Sequence, residues 1–251
     1  MSTSTPQPTQ LQLFEARAAS NAWNVRVSRR ARRLSVRVYP GGRVEVVVPP
    51  GASAATVHRF VHAHRDWIDQ RIADFSAAAP QAAERRPERI DLRAIGRTFE
   101  LSYVPSGERT ITVRTDERAD RLVLTGAVDS EQAVARALQS WLAQVARKEL
   151  ARLLAQVAQA GGFQFARVQA RRQRTRWGSC SATGTISLNM CLLFLDPAVV
   201  RYLLIHELCH TRHMNHSARF WALVETHEPD YKRLDRELLK GWQSVPGWVF
   251  A

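Results

Sequence analysis

Asp196-Pro197-Ala198-Val199-Val200-Arg201-Tyr202-Leu203-Leu204-Ile205-His206-Glu207-Leu208-Cys209-His210 is the stretch on which the reading of this 251-residue chain turns. Asp followed by Pro is the favoured order for opening a helix, a side-chain cap and then a ring already set to helical φ. The run after it is almost wholly apolar, so the helix it predicts is buried. At its far end two histidines stand four residues apart, on one helical face. Two imidazoles so placed can reach one zinc ion at about 2.0–2.1 Å. Glu207, beside the first of them, projects toward a water on that metal and can take its proton as the water attacks a polarised carbonyl. Burying this carboxylate with no cation nearby would be costly.

A third ligand is needed to leave one position open to solvent. His216 falls six residues after His210, beyond a predicted break at Met214-Asn215 where Asn tolerates left-handed backbone. His213 competes on spacing, but a tetrahedral site is easier to close from off the helix axis, so His216 is preferred. Glu225 and Glu228 are outside candidates. Cys180 and Cys209 read as small buried thiols, since thiolate ligation would compete with three imidazoles. His58, His62 and His64 form a looser group that reads as surface or packing residues.

Outward from the metal helix, Ser217 is positioned to cap a helix carrying Phe220, Trp221 and Val224, and Asp230 to cap a last one with Leu234, Leu238 and Leu239. Upstream, Asp129 or Ser130 opens a long helix whose stripe runs from Val134 to Val157 and which stops at Gly161-Gly162. Between these helices Thr183-Gly184 marks a hairpin turn. The stretch from Trp23 to Val48 alternates in apolar residues about Pro40-Gly41-Gly42, which reads as strands. Ser53 caps one helix running from Val57 to Ile72, and Ala77 to Pro87 is a linker. A second strand set contains Phe99, Leu101, Tyr103, Ile111, Val113, Leu122 and Leu124, with turns at Pro105-Ser106-Gly107 and Asp116 to Asp120. The expected organisation is a disordered tail over 1–20, a β-rich module with one helix over 21–128, and a helical metal-binding domain over 129–251. The fold class is α+β.

The formal net charge is +13, with 45% hydrophobic and 24% charged residues. Such a surplus attracts polyanions, nucleic acid included, but carries no specificity. Alternation in Arg172-Arg174-Arg176 predicts three guanidinium groups on one strand face; Arg167 and Arg171 precede them. The start of the chain is Ser/Thr/Pro/Gln-rich and does not read as a signal peptide. No apolar run is long enough to cross a membrane. With an odd number of cysteines, the expected compartment is the reducing cytoplasm.

Arg176-Trp177-Gly178-Ser179-Cys180, Ile186-Ser187-Leu188-Asn189, Tyr202 through His210, and Asn215-His216-Ser217 with Phe220-Trp221 resemble the YgjP-like metallopeptidases, zincin-type proteins related to the SprT-like and WLM peptidases. The match is strongest over about 130–241 and weaker in the β-rich module. The resemblance implies a zincin-like active-site helix on a small sheet, zinc held by His206, His210 and His216, and Glu207 as the catalytic residue. It also implies a hairpin above the site whose edge strand can pair with an extended peptide. A second oxyanion stabiliser is expected, with Tyr231 and Arg176 as guesses. The related SprT-like and WLM peptidases act on DNA-bound proteins. The alternative reading is therefore a zinc-containing nucleic-acid-binding module, or a DNA-associated protein-processing factor with little general peptidase activity.

Overall fold

A computed structural model describes residues 23–39, 43–77 and 86–250. The expected tail over 1–20 and the Pro40-Gly41-Gly42 turn lie outside these residues, as does most of the Ala77–Pro87 linker. The chain divides into two compact units, Met1–Ala79 and Pro80–Ala251. Among the described residues no helix is long and apolar enough to cross a membrane.

In the first unit β1 (Trp23–Val27), β2 (Ser35–Val38) and β3 (Val44–Val48) form a sheet in the order β1-β3-β2. The central β3 runs parallel to β1 and antiparallel to β2. Alternation turns Val46 and Val48 inward, where they meet Val57 of α1 (Ala54–Ala63). Each such fully buried side chain is worth about 1.5–3 kcal/mol. Ser53 caps α1 by accepting from the Thr56 amide at 3.2 Å. The single helix expected here is two, because α1 stops at His64 and α2 (Arg65–Ala77) follows. The His64 ring lies 2.7 Å from the Phe60 carbonyl, while its own amide donates to Val61. A side chain that takes the i−4 carbonyl competes with the backbone for it, and the turn tightens.

The second unit opens with β4 (Arg89–Leu92), β5 (Arg97–Pro105), β6 (Thr112–Asp116) and β7 (Arg121–Gly126), in the order β4-β5-β7-β6. Its turn after β6 is built as expected: Asp116 accepts from the amides of Arg118 and Ala119 at 3.0 and 3.2 Å, and Asp120 adopts φ 48°. Ser130 then caps α3 (Glu131–Gly161), which ends on left-handed Gly162. The sequence allows either a boundary near residue 128 or one core shared across it, and contacts do cross that position. The ring of Phe99 packs edge-on against Trp141 of α3 at 5.1 Å. The Trp141 Nε1 donates to Thr115 at 3.2 Å.

Three short strands follow: β8 (Arg167–Arg171), β9 (Gly178–Cys180) and β10 (Thr185–Asn189), in the order β8-β10-β9. The expected hairpin is β9–β10, with Gly184 at φ 71° in its turn, and β8 lies parallel on the other side of β10. The three arginines expected on one strand face are not on a strand. Arg172, Arg174 and Arg176 lie in the segment between β8 and β9, where a side chain takes the carbonyls of Gln173 and Arg176. Asn189 donates through Nδ2 to the carbonyls of Gln173 and Arg176 at 2.9 and 2.8 Å.

Helices α4 (Pro197–Cys209), α5 (Ala218–His227) and α6 (Tyr231–Lys240) complete the unit. Asp196 and Ser217 cap α4 and α5 as expected. Asp230 precedes α6 but makes no capping bond; its carboxylate binds Arg233 instead, at 3.0 and 2.9 Å. The whole is α+β, with small mixed sheets and a C-terminal helical region.

Candidate metal centre

Helix α4 is packed by α3, α5, α6 and β9, so its apolar length is buried and its C-terminal turn opens to the site. Tyr202, fully buried, donates to Asp235 of α6 at 2.8 Å and sets its ring edge-on to His206. Burial, then the Asp235 carboxylate, pushes the Tyr202 phenol far above its ordinary value, so it stays protonated.

The chain leaves α4 by a tight turn. Amides of Thr211 and Arg212 reach back three residues to Leu208 and Cys209, each at 3.0 Å, and Thr211 Oγ1 donates to Leu208 at 2.7 Å. The break expected at Met214-Asn215 thus begins at Thr211. It needs no left-handed residue, since Asp120 is the one non-glycine with positive φ among the described residues.

The turn returns His216 to the helix. His206 Nε2 lies 3.3 Å from His210 Nε2 and 3.2 Å from His216 Nε2. These are the three residues whose ligand atoms converge among the described ones. His213 contributes its backbone, not its ring: its carbonyl stands 3.1 Å from His210 Nδ1. A carbonyl only accepts, so that nitrogen carries the hydrogen and Nε2 keeps its lone pair for the centre. Glu225 is exposed on α5, and Glu228 is paired with Arg201, so both fall outside the cluster. Neither Cys180 nor Cys209 belongs to it. Cys209 is buried, and that burial pushes its thiol up to about 12. The His58, His62 and His64 group makes no such convergence.

One ring braces all three imidazoles. Phe220 is fully buried, and its centroid lies 5.0 Å from that of His206, 4.5 Å from His210 and 4.8 Å from His216. Trp221 stacks on His216, and Tyr231 stacks on Trp221. Tyr231, a guess for the oxyanion role, is thus part of this aromatic stack.

Glu207 points from α4 toward β9. It is only 4% exposed, and its Oε2 has no hydrogen-bond partner. A methyl group at Gly178 would come within 2.5 Å of its Oε1. Glycine is what lets the strand pass so close, a requirement a lone Gly within a strand can signal in sequence. Burial pushes the Glu207 carboxyl up to about 8, while the Arg176 guanidinium pulls it down by less. Burial, then its two histidine neighbours, pushes His206 down to about 3. Three imidazole rings are thus brought edge to edge in a partly buried turn, an arrangement that a shared cation would hold together.

The spacing fits such a cation. Bonds of 2.0–2.1 Å in a tetrahedral set place neighbouring donors roughly 3.3–3.4 Å apart, against the 3.2 and 3.3 Å from His206 Nε2 to the nitrogens of His216 and His210.

Among curated proteins nothing matches this chain. Among solved structures, the metallopeptidase zymogen of Pyrococcus abyssi abylysin is similar at 30% identity, over 35% of this chain and 89% of that one, with a TM-score of 0.32. The profile of the YgjP-like metallopeptidase domain matches residues 32–240. With that match spanning most of its length and the histidine cluster inside it, this chain belongs to the YgjP-like metallopeptidase domain family.

Proposed function

We propose that the protein is a zinc-dependent peptidase in which His206, His210 and His216 hold the metal and Glu207 is the general base. The observation that carries this reading is the meeting of three imidazole nitrogens beside a buried carboxylate with an unpartnered oxygen. When bound, zinc supplies Lewis-acid polarisation of a peptide carbonyl and acidifies a water. The rest is done by the chain. Glu207 takes the proton of the attacking water. It then has a proton to give to the departing amine. Gly178 leaves room for that carboxylate, and β9, an edge strand of its sheet, offers unpaired backbone to an extended substrate. A site that served structure alone would have no use for Glu207. The three free thiols fit the reducing cytoplasm proposed as its compartment.

Elemental analysis of the purified protein, with hydrolysis of an unstructured protein such as casein, tests the reading. About one zinc per chain is expected, with turnover lost on chelation and restored by zinc. A zinc-loaded protein that never cleaves, or a cleaving protein free of metal, overturns it.

A further inference from the structure

The segment between β8 and β9 carries three arginines in five residues and is held with unusual care. Asn189, with no exposed surface, spends every polar atom of its side chain close by. Its Nδ2 reaches the carbonyls of Gln173 and Arg176, and its Oδ1 accepts from Cys191 at 3.1 Å. The Asn189 amide also donates to Trp177 at 2.8 Å. Trp177 is buried against Trp242, ring centroids 4.1 Å apart. The backbone from Gln173 to Trp177 is thus anchored at three carbonyls. From it Arg172, Arg174 and Arg176 stand exposed, and among the described residues none of them forms a salt bridge. Arg172 bonds to Gln139, a neutral partner.

Place matters more than number. Gly178, whose Cα faces the Glu207 carboxylate, is two residues beyond Arg176, a span of at most about 7 Å. A polypeptide laid along β9 and continuing beyond Gly178 meets the segment that carries these arginines. Guanidinium groups on a fixed backbone lose less freedom than free ones when they bind a carboxylate.

We infer that the Arg172–Arg176 segment is a subsite selecting substrates with acidic side chains beside the scissile bond. This rests on the peptidase reading above. A polypeptide is favoured over nucleic acid because the arginines flank the edge strand beside the carboxylate and form a short cluster, not a stripe that could follow a phosphate backbone.

The test uses the full-length protein loaded with zinc and two fluorogenic peptides of equal length, one with Asp and Glu flanking the cleaved bond and one with Asn and Gln. The acidic peptide should be cleaved with a kcat/KM at least about tenfold higher, the difference lying in KM and shrinking with added salt. In the triple variant Arg172→Gln, Arg174→Gln, Arg176→Gln that ratio should fall toward one, and in the corresponding triple Lys variant it should persist in part. Fluorescence anisotropy with the same peptides, labelled, on the Glu207→Gln protein reads binding without turnover, with and without the triple substitution. Equal cleavage of the two peptides by the wild type overturns the inference and leaves the peptidase reading standing. If neither is cleaved the peptidase reading fails, and equal binding of the two then overturns the inference as well. Loss of single-stranded oligonucleotide binding in the triple variant, with the peptides bound alike, overturns it in favour of nucleic acid.

Discussion

Two groups of histidines in this molecule begin alike. His58 and His62 on α1 are four residues apart, as are His206 and His210 at the end of α4, and each pair has a further histidine nearby in sequence. Only the second set converges. On α1 the residue after the first histidine is Arg59, His58 lies edge-on to Trp23, and the third ring, of His64, turns to a backbone carbonyl. On α4 that position is a buried carboxylate, the helix end is enclosed by Phe220, and a tight turn brings the third ring back. Spacing offers two rings to a common point. Enclosure and the return of the chain decide whether they meet there.

The comparison breaks most sharply at His206. His206→Ala should abolish both metal binding and proteolysis, with a chelator no longer lowering the melting temperature; His58→Ala and His62→Ala should leave metal content and proteolysis as in the wild type. Metal analysis of the three variants decides this, and metal lost from either α1 variant would undo the contrast. Next in size is Glu207→Gln, which keeps the three ligands and so should keep zinc. Its turnover should fall by about 10²–10⁴-fold, the usual weight of a positioned base. Unchanged turnover in a zinc-loaded Glu207→Gln protein removes Glu207 from the mechanism.

Phe220→Ala sharpens the role of enclosure. Emptying that site should cost about 3–5 kcal/mol of stability, read by denaturant unfolding, and weaken zinc affinity although no ligand is changed. Gly178→Ala is smaller, about 1–3 kcal/mol of overpacking. It should lower kcat more than zinc affinity, because the added methyl displaces the carboxylate and not an imidazole. Smallest is Ser217→Ala, which loses one helix cap, about 1 kcal/mol, and should leave proteolysis intact.

Much of the architecture was legible because it is written in local pattern. Ser130, Asp196 and Ser217 announce their helices through caps, Gly162 stops one, and Gly184 fits the turn of the hairpin. Errors arose where a side chain overrode the pattern. His64 breaks a helix that apolar spacing alone would continue, and Asp230 gives its carboxylate to Arg233 instead of to the helix end. Arginines at alternate positions mimic a strand where Asn189 has in fact claimed the carbonyls. In the site, the spacing that lets the histidines converge was readable, but the bracing by Phe220 of all three rings was not. Which residues share an enclosure is settled by tertiary packing.

The carbonyl of His213 carries a consequence for how the protein tolerates change. It fixes the tautomer of His210 through a main-chain atom, which every amino acid possesses. Position 213 is therefore free to drift in side-chain identity while the hydrogen bond to its neighbour's ring stays constant. What cannot drift is the path of the chain, so an insertion or a proline in that turn harms the centre more than any replacement of the imidazole there.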